Sequence, residues 1–305
     1  MSVNFNDEKF EIIASSYPVP MILDTDTFNE IDDQFAVVYA LMSPDKIDLR
    51  GITAELFLNS RSENHADGME KSYQEICKIL DVLNFKDKVP ALKGSTQILK
   101  NRNEYPESEA VDFIIKEAKR VRKNNEKLFI CAIGALTNIA AAFIKDPSIA
   151  EDIVVIWLGG HEIEFDGTPR EFNLQGDVIA AQVVLESDAK YIRIPCRNVA
   201  SELQIAAEEL HANLVNGGAA GEYLKEVFAS WWHDQINKII WDISAIACIT
   251  IPEAMESRII PKPQLDDDCY WHHTEEQEKV MEITKIDRDK VFADLFQRIK
   301  KHNNQ

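Results

Sequence analysis

Four aspartates stand within ten residues of one another, directly after a short apolar run. The segment is MILDTDTFNEIDDQFAVVYAL, and the four are Asp24, Asp26, Asp32 and Asp33. It reads as a strand that ends in carboxylates, followed by a helix that starts on carboxylates. An aspartate near a helix N-terminus gains roughly 0.3–1 kcal/mol from the helix dipole, which accounts for one or two of them. Four at one strand end repel each other unless a cation or protons compensate. Carboxylate oxygens without His or Cys suit Ca²⁺ or Mg²⁺ rather than zinc. An EF-hand loop is excluded: counting from Asp24, the sixth position is Asn29 rather than Gly and the twelfth is Phe35 rather than Glu. No GxxxxGK[ST] or GxGxxG follows a strand, so a phosphate-binding loop is excluded as well.

The elements that must position these groups alternate along the chain. Short β-branched runs at 20–23, 48–53, 128–133, 153–158 and 191–194 predict strands. Between them the spacing predicts helices over 33–42, 68–84, 109–123, 137–145 and 178–187. This alternation predicts an α/β fold with a mainly parallel, Rossmann-like central sheet flanked by helices. Ligands of such sheets bind beyond the carboxyl ends of the strands. After Ser201 the pattern is helical, over 203–215, 223–232 and 242–251, with a late strand at 280–286 and a closing helix at 291–300. The later helices are expected to cover the active-site edge. No linker or repeat divides the chain, which reads as one domain over 1–305 with an N-terminal extension at 1–17. The acidic run 266–268 reads as a solvated loop.

The chain has 305 residues, of which 45% are apolar, enough for a sizeable core. Its 52 acidic and 33 basic side chains give a net charge of −19. Such a surface repels phosphate backbones and anionic lipids, so nucleic acid and membrane are not expected partners. Five cysteines without a CxxC pair fit reduced thiols. No secretory signal or membrane span is visible, and a cytoplasmic location is expected.

Two families open with Asp-x-Asp after the first strand. Haloacid-dehalogenase-like phosphatases carry Thr or Val two places after the second Asp, where this chain has Phe28. Nucleoside hydrolases carry a run similar to DTDPGxDDAxA, against DTDTFNEIDDQFAV here. Three further segments agree with the second family, in family order. LFICAIGALTNIAAAF resembles its GPLTNxA segment, REFNLQGDVIAAQVVL its EFNxxxDPEAA segment, and KIIWDISAIACITIPEAM its HDPxAVAYxIDPE segment. The chain therefore resembles the nucleoside hydrolase (nucleoside N-ribohydrolase) family, most strongly over residues 20–260.

That resemblance implies hydrolysis of the N-glycosidic bond of a small ribonucleoside. It implies Ca²⁺ held by Asp26, Asp33, the Thr137 carbonyl and Asp242, with Asp26 activating a calcium-held water. It implies substrate contacts from Asp24, Asp32, Asn59, Glu171 and Asn173, and a homodimer or homotetramer. Trp241 stands where His is common, and a purine-preferring branch carries Trp there, stacked on the base. Leaving-group activation is expected from Trp241 or from His233 as imidazolium. His65 reads as a loop residue, and Trp231 and Trp232 as packing of a long helix. Two other readings stay open: a Mg²⁺-dependent phosphatase with Asp24 as nucleophile and Thr137 on phosphate, and a ribosyl-binding protein on a degenerate hydrolase fold.

Overall fold

The apolar run before Asp24 forms a strand buried along its whole length, β1 (Val19–Thr25). The computed structural model describes residues 17–231 and 237–303. The other strands are β2 (Ile47–Ala54), β3 (Ala91–Leu92), β4 (Leu128–Ala132), β5 (Ile153–Leu158), β6 (Lys190–Ile194), β7 (Gln204–Ala206), β8 (Asn237–Ile239), β9 (Met255–Pro261), β10 (Gln264–Leu265), β11 (Trp271–His272) and β12 (Lys279–Ile286). Eight of them form one sheet in the order β3-β2-β1-β4-β5-β6-β12-β9. All neighbours in it run parallel except β12 and β9. Helices cover both faces, so β4 (LFICA) and β5 (IVVIWL) are continuous apolar runs rather than alternating ones.

The helices are α1 (Asp32–Leu41), α2 (His65–Val82), α3 (Glu109–Arg122), α4 (Thr137–Lys145), α5 (Phe172–Gly176), α6 (Val178–Glu186), α7 (Ala207–Asn213), α8 (Gly218–Trp231), α9 (Ile243–Thr250) and α10 (Arg288–Asn303). One apolar cluster gathers α1, α2, α8, α9 and α10 on one face of the sheet. A second gathers α3, α4 and α6 on the other. No helix among the described residues is long and apolar enough to cross a membrane.

The order of the sheet decides where a ligand can sit. From β1 the chain builds outward through β2 and β3, then returns to the other side of β1 with β4, β5 and β6. The reversal falls between β1 and β4, and a crevice opens beyond their carboxyl ends.

The region after Ser201 departs from the helical expectation. Residues 203–215 do not form one helix: β7 precedes α7 and pairs antiparallel with β8. Strands β9 and β12 then extend the main sheet as an antiparallel edge. The helical reading came from apolar residues whose spacing also suits short strands, and pairing between distant segments selected the strand.

Candidate functional site

The crevice at the β1–β4 switch is a cavity of about 470 Å³ whose wall includes Asp26, Asp32, Asp33, Asn173, Trp241 and Asp242. Asp26 leaves the end of β1. Asp32 and Asp33 open α1, and Asp242 stands at the start of α9 without capping it. One carboxylate oxygen from each of Asp32, Asp33 and Asp242 lies within 4.8 Å of the others, and all three residues are buried. Thr25 Oγ1 donates to Asp33 Oδ1 at 2.6 Å. Asp26 Oδ1 and Asp32 Oδ1 are buried without a hydrogen-bond partner. A Cβ at Gly134 would stand 3.2 Å from Asp26 Cγ, so the glycine after β4 keeps room for this carboxylate.

Burial is the first cause that raises these acids. It pushes Asp33 up to about 7, helped by Asp32, while the Thr25 hydrogen bond opposes it. Asp26 and Asp242 are driven well above the usual carboxylate range by burial and then by neighbouring carboxylates. Lys238, on β8, supplies a counter-charge: its Nζ lies 3.6 Å from Asp32 Oδ1 and is hydrogen-bonded to Glu30.

Several expected site residues sit elsewhere than on the ligand side. Asp24 does not line the cavity; its Oδ1 accepts from Thr53 Oγ1 at 2.5 Å and Asn138 Nδ2 at 3.0 Å, inside the sheet. Neither a ribose contact nor a phosphoryl nucleophile is available there. Beside it lies Glu55, fully buried, whose oxygens accept from the backbone nitrogens of Leu56 and Asn138. Thr137 opens α4 and lines neither the switch-point cavity nor the one beside His65; it is its hydroxyl, not the carbonyl expected on the ion, that donates to Asp177 Oδ2, the cap of α6. The residue of that strand–turn segment that does reach the cavity is Ile133. Strand geometry explains the shift, because the end of β4 faces the crevice while the helix after the turn runs back along the sheet.

Glu171 lines the cavity, but it is an N-cap. Its oxygens accept from the backbone nitrogens of Asn173, Leu174 and Gly160 at 2.8–3.0 Å. Asn173 Nδ2 donates to the carbonyls of Ile133 and Leu158, which leaves its amide oxygen for a ligand. Asn59 reaches the cavity and holds Asn29 Oδ1 at 2.6 Å. Trp241 is a half-buried wall residue next to Asp242. His65 is not in a loop: it opens α2 after the Asn64 cap and lines a second cavity of about 290 Å³. Trp231 ends α8, packed against the core and beneath Arg61 and Lys238. His233 and Trp232 lie outside the described residues.

Sequence reasoning missed Ile133, Glu55, Lys238, His161, Arg170 and Arg197. Glu55, in GITAE at the end of a predicted strand, carried a usable signal. Lys238 and Arg197 carried none, since only folding brings them to the crevice.

A parallel sheet whose switch point opens into a small, carboxylate-floored cavity defines an α/β enzyme for a small ligand. The chain belongs to the inosine-uridine preferring nucleoside hydrolase family, which it matches over residues 21–293. Membership places it among the glycosidases acting on N-glycosyl compounds. An uncharacterized protein, C1683.06c, of Schizosaccharomyces pombe is 36% identical over 109 residues, and that match spans 34% of either chain. A probable uridine nucleosidase 2 of Arabidopsis thaliana is 26% identical over 230 residues, 68% of each chain. A solved plant nucleoside hydrolase shares the fold with a TM-score of 0.73 at 20% identity, covering 93% of this chain and 99% of that one.

Proposed function

We propose that this chain hydrolyses the N-glycosidic bond of ribonucleosides to free base and ribose, with Ca²⁺ as its resident ion. The observation that carries the reading is the convergence of Asp32, Asp33 and Asp242 within 4.8 Å at the switch-point cavity. Buried carboxylates this close need protons or a cation, and Asp26 and Asp32 each keep one oxygen free of any hydrogen bond beside the cluster. Asp33 and Asp242, with Asp26 and the Ile133 strand end beside them, would hold the ion. Bound there, Ca²⁺ would neutralise the cluster, polarise water and anchor the ribose diol.

The chain's own residues then do the following. Asp26 takes a proton from the attacking water through its free Oδ1. The new bond forms between that water oxygen and C1′, the C1′–N bond breaks with its electron pair leaving on the base, and the base takes up a proton from solvent while Asp26 returns its own to solvent. The Asn173 amide oxygen favours the positive charge that develops on the sugar. Asp32 receives the ribose hydroxyls. Glu171 and Asn59 act indirectly, by holding the turn before Asn173 and the loop at Asn29. Trp241 offers an indole face to a purine and so supports departure of that base.

The test is release of reducing sugar from inosine, adenosine, guanosine, uridine and cytidine. Free ribose from at least one is expected. No ribose from any would leave the degenerate, ribosyl-binding reading in its place.

A further inference from the structure

Behind the switch-point cavity stands a carboxylate that the mechanism above leaves unused. Glu55 directly follows β2, is completely buried and lines neither cavity. Burying a carboxylate is costly unless hydrogen bonds answer it. Two backbone nitrogens do: Leu56 N donates to Oε1 at 2.9 Å, and Asn138 N donates to Oε2 at 3.1 Å. The second bond joins distant parts of the chain. Helix α4 starts at Thr137, and its own N-cap residue, Leu136, makes no side-chain capping bond. A helix leaves its first nitrogens without intrahelical partners, and a side-chain oxygen normally satisfies one of them. Here that oxygen comes from the end of another strand, 83 positions earlier.

The same residue stands on both sides of Asp26. Glu55 N donates to Thr25 O at 2.8 Å, which ties down the chain just before Asp26. On the other side, Gly134 leads into the turn before α4. A Cβ there would stand 3.2 Å from Asp26 Cγ and 3.3 Å from Glu55 Cγ, so both acids pack on one glycine. Asn138, whose backbone nitrogen Glu55 holds, sends its Nδ2 to Asp24 Oδ1 at 3.0 Å and to the Ala54 carbonyl at 3.2 Å. The turn over 133–138 is thus pinned to the ends of β1 and β2, and Asp26 lies against it. The bond to Thr25 is backbone and persists with any residue at position 55. The bond to Asn138 N belongs to the glutamate side chain alone.

We propose that Glu55 is a positioning residue for the reaction: by capping α4 from the end of β2 it seats Gly134 against Asp26 and so fixes where that carboxylate meets the ion and the water. The inference rests on the N-glycosidic reading above and adds a residue to it. Glu55 lines no part of the cavity, so it acts through Asp26 and not on the substrate. Its loss should fall on the step that Asp26 performs. The substrate contacts of Asp32, Asn173 and Trp241 should survive. Residues that orient the ligands of a metal from behind are typically worth about 10–100-fold in metal affinity or activity, and a misplacement of about 1 Å costs a similar factor.

The experiment compares the parent with Glu55→Ala and Glu55→Gln. Glu117→Gln, at a buried glutamate on α3 remote from the cavity, is the control for lost stability. For each, Tm is measured, with kcat and KM on the nucleoside the parent cleaves fastest and the Ca²⁺ dissociation constant by titration calorimetry. Glu55→Ala should lower kcat by about 10–100-fold at unchanged KM and weaken Ca²⁺ binding by about tenfold. Glu55→Gln keeps an oxygen for one of the two nitrogens and should recover part of both losses. Glu117→Gln should lower Tm alone. A Glu55→Ala protein that loses Tm but keeps the parent's kcat and Ca²⁺ affinity overturns the inference and leaves the proposed function standing, and so does a loss confined to KM. If Glu55→Ala does not fold, Glu55→Gln carries the comparison, and parent values in it overturn the inference. If the parent releases ribose from no nucleoside, the proposed function has failed. The Ca²⁺ titration then decides: weaker binding in the Glu55 variants supports the positioning role, and binding equal to the parent's overturns it.

Discussion

Asn173 Nδ2 donates to the Leu158 carbonyl oxygen across 2.9 Å, and its second hydrogen reaches the Ile133 carbonyl at 3.1 Å. One amide thus ties the ends of β5 and β4 together and leaves its oxygen facing the cavity. Asn173→Asp replaces both donors with acceptors against two buried carbonyls. An unsatisfied buried polar group costs about 1–3 kcal/mol, so Asp should lower Tm more than Ala does. Turnover should fall in both variants. Calorimetry with base-release kinetics checks this, and an Asp variant as stable as the parent would sink it.

Asp26→Asn keeps shape and hydrogen bonding but removes the proton acceptor. A general base contributes about 10²–10⁴-fold, so kcat should drop by that order with the circular dichroism spectrum unchanged. If the variant turns over at the parent's rate, the base is another group.

The ion and pH are linked. Burial, before any other cause, raises Asp24 to about 6 and Asp33 to about 7. Unfolded carboxylates titrate near 4, so the ion-free folded state binds more protons than the unfolded chain. These groups' contribution to stability is then full below about pH 4 and lost as pH rises through 6 to 7. Chelator-treated protein should therefore lose Tm between about pH 5 and pH 8. Added Ca²⁺ should raise Tm more at the higher pH, where it replaces the missing protons. Scanning calorimetry at both pH values is the measurement; equal Tm with no response to Ca²⁺ would exclude a cation site.

Trp241 and Asp242 are neighbours in sequence with separate roles in the cavity wall. Trp241→Ala should lower kcat/KM for inosine by about tenfold, the cost of roughly 1–1.5 kcal/mol of aromatic contact, and for uridine much less. Equal losses on both substrates would show that stacking on a purine is not its role.

Arg193 and Glu282 form an ion pair at 2.8 Å with essentially no exposure, joining β6 to β12. Removing one member of a buried pair costs about 3–5 kcal/mol, because the other charge stays uncompensated. Glu282→Ala should lower the urea midpoint strongly, while Glu282→Gln should recover part of the loss. Denaturation of the two variants checks the order.

The parallel-sheet core up to β6 and a carboxylate cluster able to hold a cation were legible in the residues alone. Strands such as LFICA and IVVIWL are continuous apolar runs because both their faces are covered, and this local signal survives without neighbours. The adjacency of Asp24, Asp26, Asp32 and Asp33 was equally legible, as was Asp242 before an apolar helix. What the sequence could not rank was orientation. The side-chain period of a strand is two, so an unbroken strand would put Asp24 and Asp26 on one side; β1 instead ends at Thr25, and the chain's turn there carries Asp26 alone into the crevice. Asp24 is enclosed by Thr53 and Asn138, whereas Asp26 emerges beside Gly134. The same limit applied to Thr137 and Ile133, since the turn geometry between them is not a residue type. Lys238 beside Asp32, and Arg197 beside His161, depend on chain closure over long separations. Such contacts leave no periodicity to read, and only the packed tertiary structure decided them.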